Sequence, residues 1–231
     1  MAQTVTPYYH ILLDVFNMPV IIVGGGPVAF RKAEALLECG ACVTVVSPQF
    51  DPALTKLCAQ LRSRNRGKRS MAPTLLLKKR KYRASDVKGP WLVYAATDNS
   101  ELNERICDAA HASSAWANCA EPGDAGIFGV PATVRRGAFS IAISTGGASA
   151  ALSAYWRKRL EKLIGDEWGE LAALLLKKRE EIKARVTDPD ARRALLTRLG
   201  QGHWAAKIKK FGVAEVKRRM DLLIEKSAKN S

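Results

Sequence analysis

Residues 19–46 constrain the fold more than any other stretch. A β-branched run, PVIIVG (19–24), ends in glycines. A helical pattern follows over 27–39, with Val28, Ala29, Ala33, Leu36 and Leu37 as its apolar positions and Gly40 as its stop. A second β-branched run, CVTVV, fills 42–46. Strand, tight turn, helix and strand in so short a span are the opening unit of a doubly wound sheet, because parallel strands need a crossover and the helix supplies it. The turn itself, Gly24-Gly25-Gly26-Pro27-Val28-Ala29, fits G-x-G-x-x-A. Gly24 allows the chain to turn off the strand, Gly26 lets an anion approach the backbone, and Ala29 lets the helix lie close to the sheet. The helix N-terminus adds unpaired N–H groups and a partial positive charge, and Pro27 fits the first helical position because no N–H is needed there. Gly24, Gly25, Gly26, Pro27 and Val28 are therefore the expected seat of a dinucleotide pyrophosphate. The competing reading is a plain tight turn.

The second strand ends in Ser47-Pro48-Gln49. The carboxylate that usually holds the adenosine ribose is missing, and no arginine stands there for a 2′-phosphate. Ser47, Pro48 and Gln49 are expected to face the ribose, with NAD favoured over NADP. Further units follow: a helix over 52–61, strands at 74–77 and 91–96, a helix over 100–113 and a short strand at 115–119. Thr97 and Asp98 stand at a strand's carboxyl end, where open α/β sheets place ligands, so both are cofactor candidates. Asp98 with Glu101 equally reads as a capping box for the next helix.

The pattern then changes. Extended runs at 127–134 and 139–145, joined by Arg135-Arg136-Gly137, suggest an antiparallel hairpin. Beyond Gly147 the chain reads as helix. Residues 150–164 carry Leu152, Tyr155, Trp156, Leu160, Leu163 and Ile164 on one face, Asp188-Pro189 starts a new helix, and Gly200-Gln201-Gly202 breaks again. The expected class is α/β: a Rossmann-like parallel sheet (1–118), a β-hairpin region (119–148) and a helical C-terminal domain (149–231).

A net charge of +15 points to an anionic partner: nucleic acid, a small polyanion or an acidic protein. The most basic stretch, 62–83, holds RSRNRGKR and KKRKYR and is either a solvated sheet edge or a binding surface. No apolar run approaches the ~18 residues of a membrane span, and no signal peptide is expected at the N-terminus. The five cysteines are odd in number, and only Cys39 and Cys42 lie close in sequence. Reduced cytoplasmic thiols are expected, with no metal centre. The histidines His10, His111 and His203 are scattered, so a Ser/His/Asp arrangement is not supported.

Two more turns carry candidate chemistry. Asn118-Cys119-Ala120-Glu121 ends a strand, and Glu121 is either a general base or an ordinary loop glutamate. Ser144-Thr145-Gly146-Gly147 is either an anion nest at a helix N-terminus or a flexible turn before a Ser149 N-cap.

The chain resembles the precorrin-2 dehydrogenase and sirohydrochlorin ferrochelatase family, including the N-terminal module of sirohaem synthase. The resemblance rests on Tyr9–Asp14, VGGGPVAFRK (23–32), AATDN (95–99), NCAEPGDAGIFGVPA (118–132) and SIAISTGGASAALSAYWRKRLE (140–161). It implies NAD⁺-dependent oxidation of precorrin-2 to sirohydrochlorin, a homodimer built through the hairpin region, and a helical tail beside the active-site cleft. Some members also insert Fe²⁺; a methyltransferase half is not expected here. Precorrin-2 carries eight carboxylates, which the basic balance suits, with Arg31, Lys32, Arg135, Arg136, Arg157 and Lys158 as candidate contacts. The family's catalytic aspartate aligns with Glu121, one methylene longer, with Asp124 or Asp98 as substitute bases. Its active-site serine aligns with Thr145. Ser144, Gly146 and Gly147 join Thr145 and Arg157 as expected substrate contacts. Two other readings compete: a non-catalytic NAD sensor that binds nucleic acid through 62–83, and a protein that is mainly a chelatase.

Overall fold

The computed structural model describes residues 8–64, 73–119 and 126–229. They form two compact units, divided between Val130 and Pro131.

The first unit holds strands β1 (Pro19–Val23), β2 (Cys42–Ser47), β3 (Thr74–Lys79), β4 (Leu92–Ala95) and β5 (Trp116–Cys119), with helices α1 (Pro27–Glu38), α2 (Pro52–Arg64) and α3 (Ser100–Ala112). All neighbouring strands pair in parallel, in the order β3-β2-β1-β4-β5. β1 is buried on both faces, which is why it reads as an unbroken apolar run and not as an alternation. Val20 and Ile22 join one layer with Ala29, Ala33, Leu36 and Leu37 of α1 and Leu54 of α2. Ile21 and Val23 join the other, with Ile106, Cys107 and Ala110 of α3. Each fully buried side chain of this size contributes about 1.5–3 kcal/mol. The strand order reverses between β1 and β4, so the crevice at a topological switch point lies at their carboxyl ends.

The second unit starts with an antiparallel hairpin, β6 (Ala132–Arg136) and β7 (Phe139–Ile143), followed by α4 (Ala150–Leu163), α5 (Glu167–Arg185), α6 (Pro189–Leu199), α7 (His203–Phe211) and α8 (Val213–Lys229). The hairpin is tighter than the sequence suggests. Arg135 and Arg136 lie inside β6, and Gly137-Ala138 alone make the turn, with Gly137 at φ 56°. That positive φ suits the two-residue turns whose twist matches that of the strands. Residues 127–131 lie outside the strand. Arg136 braces the end of α4, where its guanidinium donates to the Glu161 and Ile164 carbonyls. Those carbonyls lack helical partners, and a cation there also meets the negative end of the helix dipole. The core joins Leu171, Leu174 and Ile182 of α5, Leu199 of α6, Trp204 and Ile208 of α7, and Val216, Met220 and Ile224 of α8.

The cysteines depart from the expected reduced state. Cys107 of α3 and Cys119 of β5 form a disulfide, with Cα atoms 6.8 Å apart. The two are distant in sequence, but α3 packs beside the strand that follows it, so packing and not spacing brings them together. Cys42 and Cys58 remain thiols.

Candidate dinucleotide site

The glycine turn sits at the switch point. Gly24 adopts φ 125°, and a Cβ placed on it would lie 2.0 Å from the Ala96 carbonyl oxygen. No side chain fits, so the loops after β1 and β4 touch through backbone. At Gly25 a Cβ would meet the Gln49 carbonyl at 2.0 Å and the Ser47 hydroxyl at 2.7 Å. Ser47 and Gln49 thus abut the turn. Gly26 differs: a Cβ there meets nothing within 4 Å. Gly26 is also the N-cap of α1, offers no capping side chain, and is followed by Pro27. The first amides of α1 therefore have no capping side chain at the N-cap, and the space beside Gly26 is open. A pyrophosphate fits this cradle through N–H donors and the positive end of the helix dipole.

Asp51 lies beside the turn. Its N–H donates to the Gly25 carbonyl at 2.7 Å, and its carboxylate accepts from Ala53 N at the start of α2.

Thr97 and Asp98 follow β4, but the expected Asp98–Glu101 capping box does not form. Asn99 caps α3 instead, its Oδ1 accepting from Leu102 N at 2.8 Å. The helix starts at Ser100, one residue too late for Asp98 to reach its amides. Asp98 is left exposed. Thr97 is held by Asn103, a buried residue of α3. The Asn103 side chain accepts from Thr97 N (3.1 Å) and Thr97 Oγ1 (2.7 Å) and donates to Thr97 O (2.9 Å). Sequence reasoning missed this clamp. Its signal was an asparagine at a core-facing position of α3, where Leu102, Ile106, Cys107 and Ala110 share the apolar side.

Lys32 lies 5.4 Å from the Tyr94 ring centre. Burial, reinforced by Arg31, pushes the Lys32 ammonium below its ordinary value. Burial pushes the Tyr94 hydroxyl up to about 12. In the basic stretch, Arg80 is paired with Asp86 through two bonds, at 2.7 and 2.5 Å. The Arg80 bonds hold the Asp86 carboxyl below its usual range.

The second unit holds the remaining candidates, apart from Glu121 and Asp124, which lie outside the described residues. Gly146 and Gly147 both adopt positive φ. The hydroxyls of this turn are occupied locally. Ser144 Oγ accepts from Gly146 N, Thr145 Oγ1 bridges Ser149 N and O, and Ser149 Oγ caps α4 by accepting from Leu152 N. Arg157 is ion-paired with Glu161, and Lys158 is exposed.

Comparison with known proteins places this geometry. Residues 11–132 match the family model of a putative NAD(P)-binding domain, just over half of the chain. The chain belongs to this NAD(P)-binding family. Residues 167–224 match the sirohaem synthase dimerisation region. The chain is 35% identical over 192 residues to Siroheme synthase 3 of Aeromonas hydrophila, covering 83% of itself and 38% of that protein. It is 34% identical over 208 residues to the siroheme synthase of Methylococcus capsulatus, covering 90% of itself and 41% of that protein. The chain thus spans about two fifths of the length of these curated relatives. A solved structure described as SirC, precorrin-2 dehydrogenase, shares its fold with a TM-score of 0.72, at 24% identity, over 95% of this chain and 100% of that one.

Proposed function

We propose that the chain oxidises precorrin-2 to sirohydrochlorin with NAD⁺ on the route to sirohaem. The observation that carries this reading is the uncapped, side-chain-less glycine turn at the switch point, in a chain about a third identical to siroheme synthases over most of its length. The solved structure that shares the fold is described as a precorrin-2 dehydrogenase.

In the reaction precorrin-2 loses a hydride and a proton, giving sirohydrochlorin, NADH and H⁺. Bound NAD⁺ supplies the hydride acceptor. Gly24–Gly26 and the first amides of α1 hold its pyrophosphate, Ser47–Gln49 its ribose, and Thr97-Asp98 the end nearer the reaction. Glu121 takes the proton, with Asp124 as a second carboxylate close by in sequence. Ser144, Thr145, Gly146, Gly147 and Arg157 bind the carboxylated macrocycle. Arg157 must exchange Glu161 for a substrate carboxylate, which costs little because a half-exposed pair of this spacing contributes only about 0.3–0.5 kcal/mol. The working form is a cytoplasmic homodimer. The matched dimerisation region supports the dimer, as do the exposed Leu152, Tyr155, Trp156 and Leu163 of α4.

The test is turnover. Purified chain with precorrin-2 and NAD⁺ is expected to give sirohydrochlorin and NADH in equal amounts, read by absorbance; no turnover with both present overturns the reading. Glu121→Ala is expected to abolish turnover with NADH affinity unchanged; unaltered turnover removes Glu121 as the base. Adding Fe²⁺ to the product reads iron insertion in the same cuvette.

A further inference from the structure

The helices α6, α7 and α8 enclose an open pocket of about 430 Å³, lined by Arg198, His203, Trp204, Lys207, Arg219, Leu222, Leu223 and Lys226. Four of these side chains are cations and none is an acid. The α8 members follow helical spacing (219, 222, 223, 226), so they form one continuous wall, adjacent to the core stripe of Val216, Met220 and Ile224. Leu222 is exposed and Leu223 half-buried, giving that wall an apolar middle between two cations.

The walls are fixed in place. Trp204 is buried, and its indole N–H donates to the Arg198 carbonyl at 3.1 Å, tying the end of α6 to α7. Lys207 lies 4.3 Å from the Trp204 ring centre. Arg219 is bonded to Glu215 at 2.7 Å and lies 4.9 Å from the Phe211 ring centre. Arg198, His203 and Lys226 are exposed around the rim. Arg219 is already matched by Glu215, whereas the lining offers no acid to Arg198, Lys207 and Lys226, and like charges gathered within a Debye length repel one another.

We infer that this pocket binds an organic polycarboxylate with an apolar body, whose carboxylates meet Arg198, Lys207 and Lys226 while its body lies on Leu222 and Leu223. A bare inorganic anion would leave the leucines in water, and a neutral apolar ligand would leave the cations unmatched. The ligand class is that of the proposed substrate, and the inference rests on that reading to this extent. The pocket lies wholly within the second unit and contains none of the residues assigned to catalysis. It therefore adds a binding site to the residues assigned to the reaction.

The experiment titrates the full-length chain with uroporphyrin, a fluorescent porphyrin carrying eight carboxylates, and follows anisotropy. Arg198→Glu/Lys226→Glu is expected to remove one class of binding site or weaken it by about tenfold or more, a change of ~1.4 kcal/mol or above. Both residues are exposed, so the fold should persist; Arg198→Gln/Lys226→Gln gives the same test with less charge change. NADH affinity is expected to stay at the wild-type value, and turnover is measured separately. Lost turnover in the wild type with pocket binding intact would overturn the proposed function and leave the pocket standing. An unchanged uroporphyrin isotherm in both variants would overturn the pocket. Displacement by millimolar inorganic phosphate as readily as by uroporphyrin would reduce it to a plain anion site and overturn the inference. Equal affinity for a dicarboxylic porphyrin of the same body would overturn the polycarboxylate assignment.

Discussion

Two turns of this molecule share one sequence grammar, strand, glycines, helix, and the structure treats them in opposite ways. After β1, Gly26 heads α1 with no capping side chain and with open space above it. After β7, Ser149 heads α4 and its hydroxyl satisfies Leu152 N, while Thr145 Oγ1 satisfies Ser149 N. A helix N-terminus is an anion site only while its amides are unspoken for. By that criterion the first turn is built to receive a ligand and the second is largely self-satisfied. The Thr145 O–H is already spent on the Ser149 carbonyl, while Ser144 Oγ accepts from Gly146 N and keeps its own O–H to donate.

The largest effect away from the glycines is expected at the clamp behind the first turn. Asn103→Ala removes three bonds to Thr97 and leaves its half-buried backbone groups without that partner, costing about 2–3 kcal/mol in stability. NADH affinity should fall with it, because the loop after β4 lies against Gly24. A variant with wild-type melting and wild-type affinity would show that the clamp does not hold the site.

A control within the first unit is the Arg80–Asp86 pair. Asp86 is largely buried and its carboxyl is held low by Arg80, so its contribution is present above about pH 4, the unfolded value, and is lost as pH falls through the folded one. Asp86→Asn should cost roughly 1–3 kcal/mol at neutral pH and flatten the acid limb of the stability curve. An unchanged acid limb would contradict this. The smallest effect belongs to the second turn. Ser149→Ala should cost about 1 kcal/mol, the usual value of an N-cap, and leave NADH affinity untouched. A loss of NADH affinity in that variant would break the contrast between the two turns.

The same contrast explains what could be read from the sequence. The parallel sheet was legible because β1, β2 and β4 are apolar runs between glycine and helix signals, and those signals act locally. The glycine turn was legible because its requirements are steric and belong to single residues. The second turn was ambiguous because S-T-G-G-A-S offers both a nest and a cap, and only side-chain geometry decides between them. The Asp98 box failed by one residue, since Asn99 competes for the same amides. The Asn103 clamp and the Cys107–Cys119 bond join residues that packing brings together; the core-facing asparagine hints at a buried bond, but its partner is set by the fold. Glu121 and Asp124 remain sequence proposals.

The central claim is that the pyrophosphate lies over Gly26. Gly26→Asp tests it most directly, because the backbone there (φ −85°) accepts any side chain and the new Cβ meets open space. The aspartate would cap α1 as Ser149 caps α4, and would place a negative charge where the phosphates belong. Titration of NADH fluorescence should then show affinity reduced by about tenfold or more, with melting temperature held or raised. Wild-type affinity in a folded Gly26→Asp protein would contradict the claim.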